Sequence, residues 1–142
     1  MSKLAVIYWS GTGNTEAMAR AVAEGAARAG AAPDLFSVSQ ITPEDAAGYD
    51  ALALGCPAMG AEALEEAEFE PFFTALEGSL SGKKVGLFGS YGWGDGQWMR
   101  DWYDRTARTG ADLRQEEGLM VNEVPDGSAL DACRALGAAL AC

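Results

Sequence analysis

Short apolar runs recur along this chain, each followed by a loop and then by a stretch of helical spacing. That alternation constrains the fold more than any other feature. Leu4–Trp9, Ala51–Cys56 and Lys84–Gly89 read as buried strands; Asp34–Val38 reads as a weaker strand toward an edge, and Leu119–Val121 as a short last one. Between and after them, Asn14–Gly30, Leu64–Leu76, Gly96–Gly110 and Ser128–Leu140 read as helices. Pro71 must sit in the first turn of its helix or break it, because its ring blocks a helix interior. Strands alternating with helices imply a parallel sheet covered on both faces, a three-layer, doubly wound α/β fold. With 142 residues, five such strands and no repeat or linker, the expectation is one domain over residues 1–142.

Composition removes whole classes of function. The chain has no histidine, so the commonest general base and metal ligand is missing. Its three cysteines (Cys56, Cys133 and Cys142) lack metal-ligand spacing and are an odd number, which speaks against a disulfide scaffold and for a cytoplasmic location. No run approaches the roughly 18 apolar residues that span a bilayer. The formal net charge of −11 argues against nucleic acid and favours transient encounters with basic protein faces.

In a doubly wound sheet, ligands lie in the loops beyond the carboxyl ends of the strands. Three such loops share an uncommon composition. The first, Ser10-Gly11-Thr12-Gly13-Asn14-Thr15, joins the first strand to the first helix. It aims neutral donors and the positive end of a helix dipole at one point, a place for a phosphate. It carries no lysine, so it is not a nucleotide-hydrolysing loop, and Ala17 and Met18 stand where a dinucleotide fingerprint has its third glycine. The second contains Pro57, Ala58, Met59, Gly60, Ala61 and Glu62: an apolar, adaptable methionine, then a peptide free to turn, then a hydrogen-bond acceptor. The third, Ser90-Tyr91-Gly92-Trp93-Gly94, sets a tryptophan between glycines, where it serves better as a flat wall than as core. Trp9, at the end of the first apolar run, reads first as core and second as another wall; Trp98 and Trp102, four apart on a helix, read as core or boundary residues, and Glu65, Glu66, Glu68, Glu70 and Asp95 as solvated charges.

Taken together, Tyr8–Thr15, Leu54–Gly60, Phe69–Phe72 and Gly86–Gly94 resemble the flavodoxin family, in its short-chain, clostridial-type class. The resemblance covers essentially the whole chain. It implies a five-stranded parallel sheet of order 2-1-3-4-5 and non-covalent FMN at the switch between strands one and three. It also implies roles. Ser10, Thr12, Asn14 and Thr15, with the N–H groups of Gly11 and Gly13, would hold the phosphate, assisted by Ser90. Trp93 and Met59 would flank the ring, Glu62 would meet its N3–H, and backbone near Gly92 and Gly94 would meet its pyrimidine edge. The Gly60–Ala61 peptide would turn toward the ring on reduction and stabilise a neutral semiquinone. The function so implied is a low-potential one-electron carrier, cycling between semiquinone and hydroquinone, monomeric and not itself an enzyme. An FMN-dependent NAD(P)H oxidoreductase is the alternative on the same fold. A phospho-acceptor receiver domain would need carboxylates where Trp9-Ser10 and Gly55-Cys56 stand.

Overall fold

A computed structural model describes residues 3–59 and 63–141. Its elements are β1 (Leu4–Tyr8), α1 (Asn14–Arg28), β2 (Asp34–Ser37), the short α2 (Pro43–Ala46), β3 (Ala51–Gly55), α3 (Phe69–Leu76), β4 (Lys84–Tyr91), α4 (Gln97–Ala107), β5 (Asp112–Leu113), β6 (Leu119–Asn122) and α5 (Gly127–Ala141). The strands pair in parallel in the order β2-β1-β3-β4-β5, and β6 also pairs with β4. The expected order holds, but two short strands share its fifth place. β5 pairs with Lys84 and Val85, and β6 pairs with Phe88 to Tyr91. Where the edge is interrupted, the side-chain oxygen of Gln115 accepts from the Leu87 N–H, filling a rung that backbone would otherwise supply.

Period-2 alternation divides the strand residues between two cores. Ala5, Ile7, Leu52, Leu54, Val85 and Leu87 pack with Phe69, Phe73, Leu76, Trp98 and Trp102. Leu4, Val6, Ala51 and Ala53 pack with Met18, Val22 and Ala26 of α1 and Cys133, Leu136 and Leu140 of α5. The second face is built of small strand residues. A Cβ on Gly86 would meet Leu136 Cδ1 at 2.9 Å, so α5 lies close on the sheet. Helices α1 and α5 approach closely too: a Cβ on Gly137 would lie 1.9 Å from the Val22 carbonyl oxygen, and one on Gly25 would lie 1.9 Å from that of Arg134.

Helix α3 starts later than its apolar spacing suggests. Residues 64–68 are loop and turn, and Glu65 is the reason. Its Oε1 accepts the N–H groups of Glu68 and Phe69 at 2.8 and 2.9 Å, and its backbone oxygen accepts that of Glu70 at 2.8 Å. Pro71 follows and has no N–H to satisfy. Of the four positions whose donors a helix start leaves unpaired, three find acceptors on Glu65 and the fourth is the proline, which sits in the first turn. At the far side, Arg105 of α4 grips Glu70 and Glu77, each at 2.8 Å, and lies over the Phe73 ring, which ties α3 to α4.

Candidate functional site

The loops after β1, β3 and β4 converge on a cleft of about 250 Å³. It is lined by Trp9, Ser10, Gly11, Thr12, Asn14, Thr15, Pro57, Ala58, Met59, Ser90, Tyr91, Gly92 and Glu123. No basic residue is among them. A larger groove, about 400 Å³, lies between α5 and residues 114–120. Three of its ten lining residues are alanines and none carries a hydroxyl, whereas the smaller cleft gathers the hydroxyls of Ser10, Thr12, Thr15, Ser90 and Tyr91.

Its floor is the turn into α1. Gly13 adopts φ 94°, which a side chain would strain, and this left-handed residue swings the backbone into the helix. Ser10 Oγ accepts from Gly13 N–H at 3.1 Å and Glu16 N–H at 3.2 Å, so Ser10 caps the helix from three residues upstream. Thr12 Oγ1 accepts from Asn14 N–H at 3.4 Å. The expectation that the Gly13 N–H faces a ligand meets a competitor, because that donor already has Ser10 Oγ. The hydroxyls themselves remain available. Each accepts from the backbone and keeps its own O–H to donate outward. Thr15 and Ser90, both buried, share a 3.0 Å bond across the sheet from α1 to β4, and the Ser90 N–H lies 3.4 Å from Thr15 Oγ1. One of the two hydroxyls donates to the other, leaving a proton for a third acceptor. The result is a converging set of neutral donors.

The sides are apolar. Met59 is 36% exposed and Trp93 53% exposed, two of the three large hydrophobics among the described residues that stand so open. Tyr91 lines the cleft and is backed by Trp98, ring centroids 5.5 Å apart, while Trp98 Nε1–H donates to the Cys56 carbonyl at 3.1 Å. Ala58 N–H donates to Ser90 O at 3.1 Å, tying the second loop to the third. Met59 and Ala63 exchange backbone hydrogen bonds of 2.8 Å in both directions. Gly60, Ala61 and Glu62, and with them the turning peptide and the N3–H partner, lie outside the described residues. Trp93 and Gly94 are exposed beside the cleft without lining it.

The cleft also takes in two residues beyond those given a ligand role above. Trp9, for which both core and wall stood open, is half-buried, packs against the core and lines the cleft. Glu123 lies in the loop after β6, and its N–H donates to Tyr91 O at 2.7 Å. It takes φ 59°, the one non-glycine among the described residues in the left-handed region. The strand-end rule that selected the other loops applied to this one as well, and the run Asn122–Gly127 is turn-rich; that was the available signal. Glu65 corrects the reading of the acidic residues as solvated charges. It is 8% exposed and accepts three backbone N–H groups. Burial acts to raise its pKa, but those three donors outweigh burial and hold it below the usual carboxylate value. The Cys56 thiol, pushed up by burial, stays protonated and is an inert part of the loop.

A family model described as Flavodoxin matches residues 6–137. The chain is 49% identical over 136 residues to a flavodoxin of Megasphaera elsdenii, covering 96% of each. It is 48% identical over 126 residues to a flavodoxin of Clostridium beijerinckii, covering 89% of this chain and 91% of that one. The solution structure of the two-electron reduced Megasphaera elsdenii protein superposes with a TM-score of 0.88, over 97% of this chain and 98% of that one. An NAD(P)H dehydrogenase (quinone) of Caulobacter vibrioides is a more distant match, 35% identical over 113 residues, or 63% of this chain and 57% of that one.

Proposed function

The chain belongs to the flavodoxin family, and from that premise we propose how its cleft holds FMN and sets the cofactor's behaviour. As in its close relatives, the protein binds FMN and carries electrons, and the cofactor supplies one-electron redox chemistry. The phosphate sits over the start of α1, held by the outward O–H groups of Ser10 and Thr12, the Asn14 amide and the Thr15–Ser90 pair. Met59 and Trp93 cover the two faces of the ring, and Tyr91 and Gly92 bound its edge. The family resemblance assigns Gly60, Ala61 and Glu62 to that edge as well, where Glu62 would meet N3–H and the Gly60–Ala61 peptide would respond to redox state.

The single observation that carries this placement is the neutral hydroxyl cluster across α1 and β4, with two exposed apolar side chains beside it. It also accounts for a low potential. Hydroxyl and amide donors fix the phosphate without cancelling its charge, and Glu123 adds another carboxylate. Two charges about 10 Å apart interact by roughly 1–2 kcal/mol at an effective dielectric near 20. Added negative charge on the ring is therefore opposed.

The partners are redox proteins with basic faces, met transiently in the cytoplasm by a monomer. The chain turns over no substrate of its own. Among the described residues, no helix is long and apolar enough to cross a membrane.

Apoprotein prepared from the purified chain will bind FMN at least 100-fold more tightly than riboflavin, measured by quenching of flavin fluorescence. Equal affinities would remove the phosphate from the first loop. Sustained NADH or NADPH oxidation by the purified protein alone would favour the oxidoreductase reading instead.

A further inference from the structure

The two ends of the cleft are joined through one side chain. Trp9 follows β1 and lies between the first loop and the turn at residues 63–68. On one side its ring lies close over Gly11: a Cβ there would meet its Cη2 at 3.1 Å and Cζ3 at 3.3 Å. On the other side its Nε1–H donates to Glu68 Oε1 at 3.3 Å. Glu68 is anchored in turn, because its backbone N–H donates to Glu65 Oε1 at 2.8 Å. Glu65 N–H reaches Cys56 Sγ at 3.3 Å, at the root of the segment that carries Met59. The anchoring loop and the ring-side loop are thus linked by packing on one side of an indole and a hydrogen bond on the other.

We propose that Trp9 is a positioning strut, through which the loop at 10–15 and the residues at 56–59 and 63–68 set each other's geometry. An anion held at one end of the cleft then tightens binding of the ring system at the other. The inference rests on the FMN placement given above. Such coupling is reciprocal by thermodynamic necessity: whatever factor phosphate applies to ring binding, the ring applies to phosphate. The Trp9–Glu68 bond is solvent-exposed, so the factor belongs at the small end of the range, about three- to fivefold.

Riboflavin has the ring and lacks the phosphate, so the two halves can be supplied separately to the full chain freed of FMN. Saturating inorganic phosphate is expected to tighten riboflavin binding by about three- to fivefold in the wild type. Glu68 does not line the cleft, and Glu68→Ala removes the acceptor without touching either ligand; its coupling factor is expected to fall to about one. Glu68→Gln keeps an acceptor oxygen and discards the charge, and should retain the factor. Trp9→Phe loses the N–H and also the outer ring atoms, Cη2 and Cζ3, that lie over Gly11; its factor should fall at least as far as that of Glu68→Ala, and it serves if that variant does not fold. Independent binding of phosphate and riboflavin in a wild type that binds FMN overturns the strut alone. So does an undiminished factor in Glu68→Ala, or a loss in Glu68→Gln equal to that in Glu68→Ala. A wild type that binds no FMN overturns the cofactor placement and the strut with it.

Discussion

Glu65 shows how one residue can set the start of a helix. A buried carboxylate is costly unless it is paired or well hydrogen-bonded, and here three backbone N–H groups meet that demand. Those same groups are orphan donors around the start of α3. Because the folded protein holds this carboxyl below its unfolded value, the stabilisation is present above the unfolded pKa and is lost as pH falls through the folded one. Glu65→Gln is isosteric and cannot ionise. At pH 7 it is expected to unfold in urea with a stability about 1–3 kcal/mol lower, the range for hydrogen bonds to a charged acceptor. The gap to wild type should narrow as pH drops below about 4.5. Glu70, also depressed, by Arg105 first of all, is present in both proteins and cancels in the difference. A gap that stays constant from pH 7 to pH 3 would mean that the carboxylate charge is not what caps α3. Glu65 was invisible as a cap in the sequence. It stands in an acidic run with Glu66, Glu68 and Glu70, and nothing local distinguishes the one that turns inward.

At the scale of elements, legibility followed packing. β1, β3 and β4 were plain because both their faces are buried and their apolar runs are unbroken. The fifth sheet position was half seen. Asp112 and Leu113 form too short a run to register, and the Gln115 side chain that completes the ladder leaves no periodic trace. Of the residues that line the cleft, Ser10, Gly11, Thr12, Asn14, Thr15, Ser90 and Gly92 stand out in the sequence because glycine and hydroxyl side chains cluster at strand ends, whereas Glu123 has neither feature and is marked only by the turn-rich run around it. The α1–α5 contact was hidden for another reason: glycines inside helices look like weaknesses until the partner helix is known. Alanine would favour an isolated helix by about 1 kcal/mol. At Gly137 its Cβ would sit 1.9 Å from the Val22 oxygen and 2.8 Å from the Ala26 nitrogen, both backbone atoms of α1. Backbone cannot yield as a flexible side chain can, so the helices must part. Gly137→Ala is expected to cost about 2–3 kcal/mol, within the range for overpacking a tight core, and to lower Tm by several degrees. Gly78→Ala, with nothing within 4 Å of the new carbon, is the control and should change stability little. Equal stabilities for the two variants would show that the α1–α5 approach is looser than drawn.

The whole molecule is governed by a charge surplus that its arginines do not offset where it matters. Arg20, Arg28, Arg100, Arg105, Arg114 and Arg134 each pair with a carboxylate of this chain. Their positive charge is neutralised at close range, and the excess of acids sets the far field, with a formal net charge of −11. The cleft lining adds Glu123 and no cation. A reagent approaching the cleft therefore meets a negative potential that extends about 30 Å at 0.01 M ionic strength and about 10 Å at 0.1 M. That field raises the encounter rate of cations and lowers that of anions, and salt must shift the two in opposite directions. For the reduced holoprotein, stopped-flow oxidation by a small cationic cobalt(III) ammine is expected to slow by about tenfold between those ionic strengths. Oxidation by anionic ferricyanide should accelerate over the same range. The sign pair is the decisive reading, because a salt effect on protein stability or on cofactor affinity would move both reactions the same way. Parallel salt responses would place the electron's exit away from this field and would remove electrostatic steering as the basis for choosing basic partners.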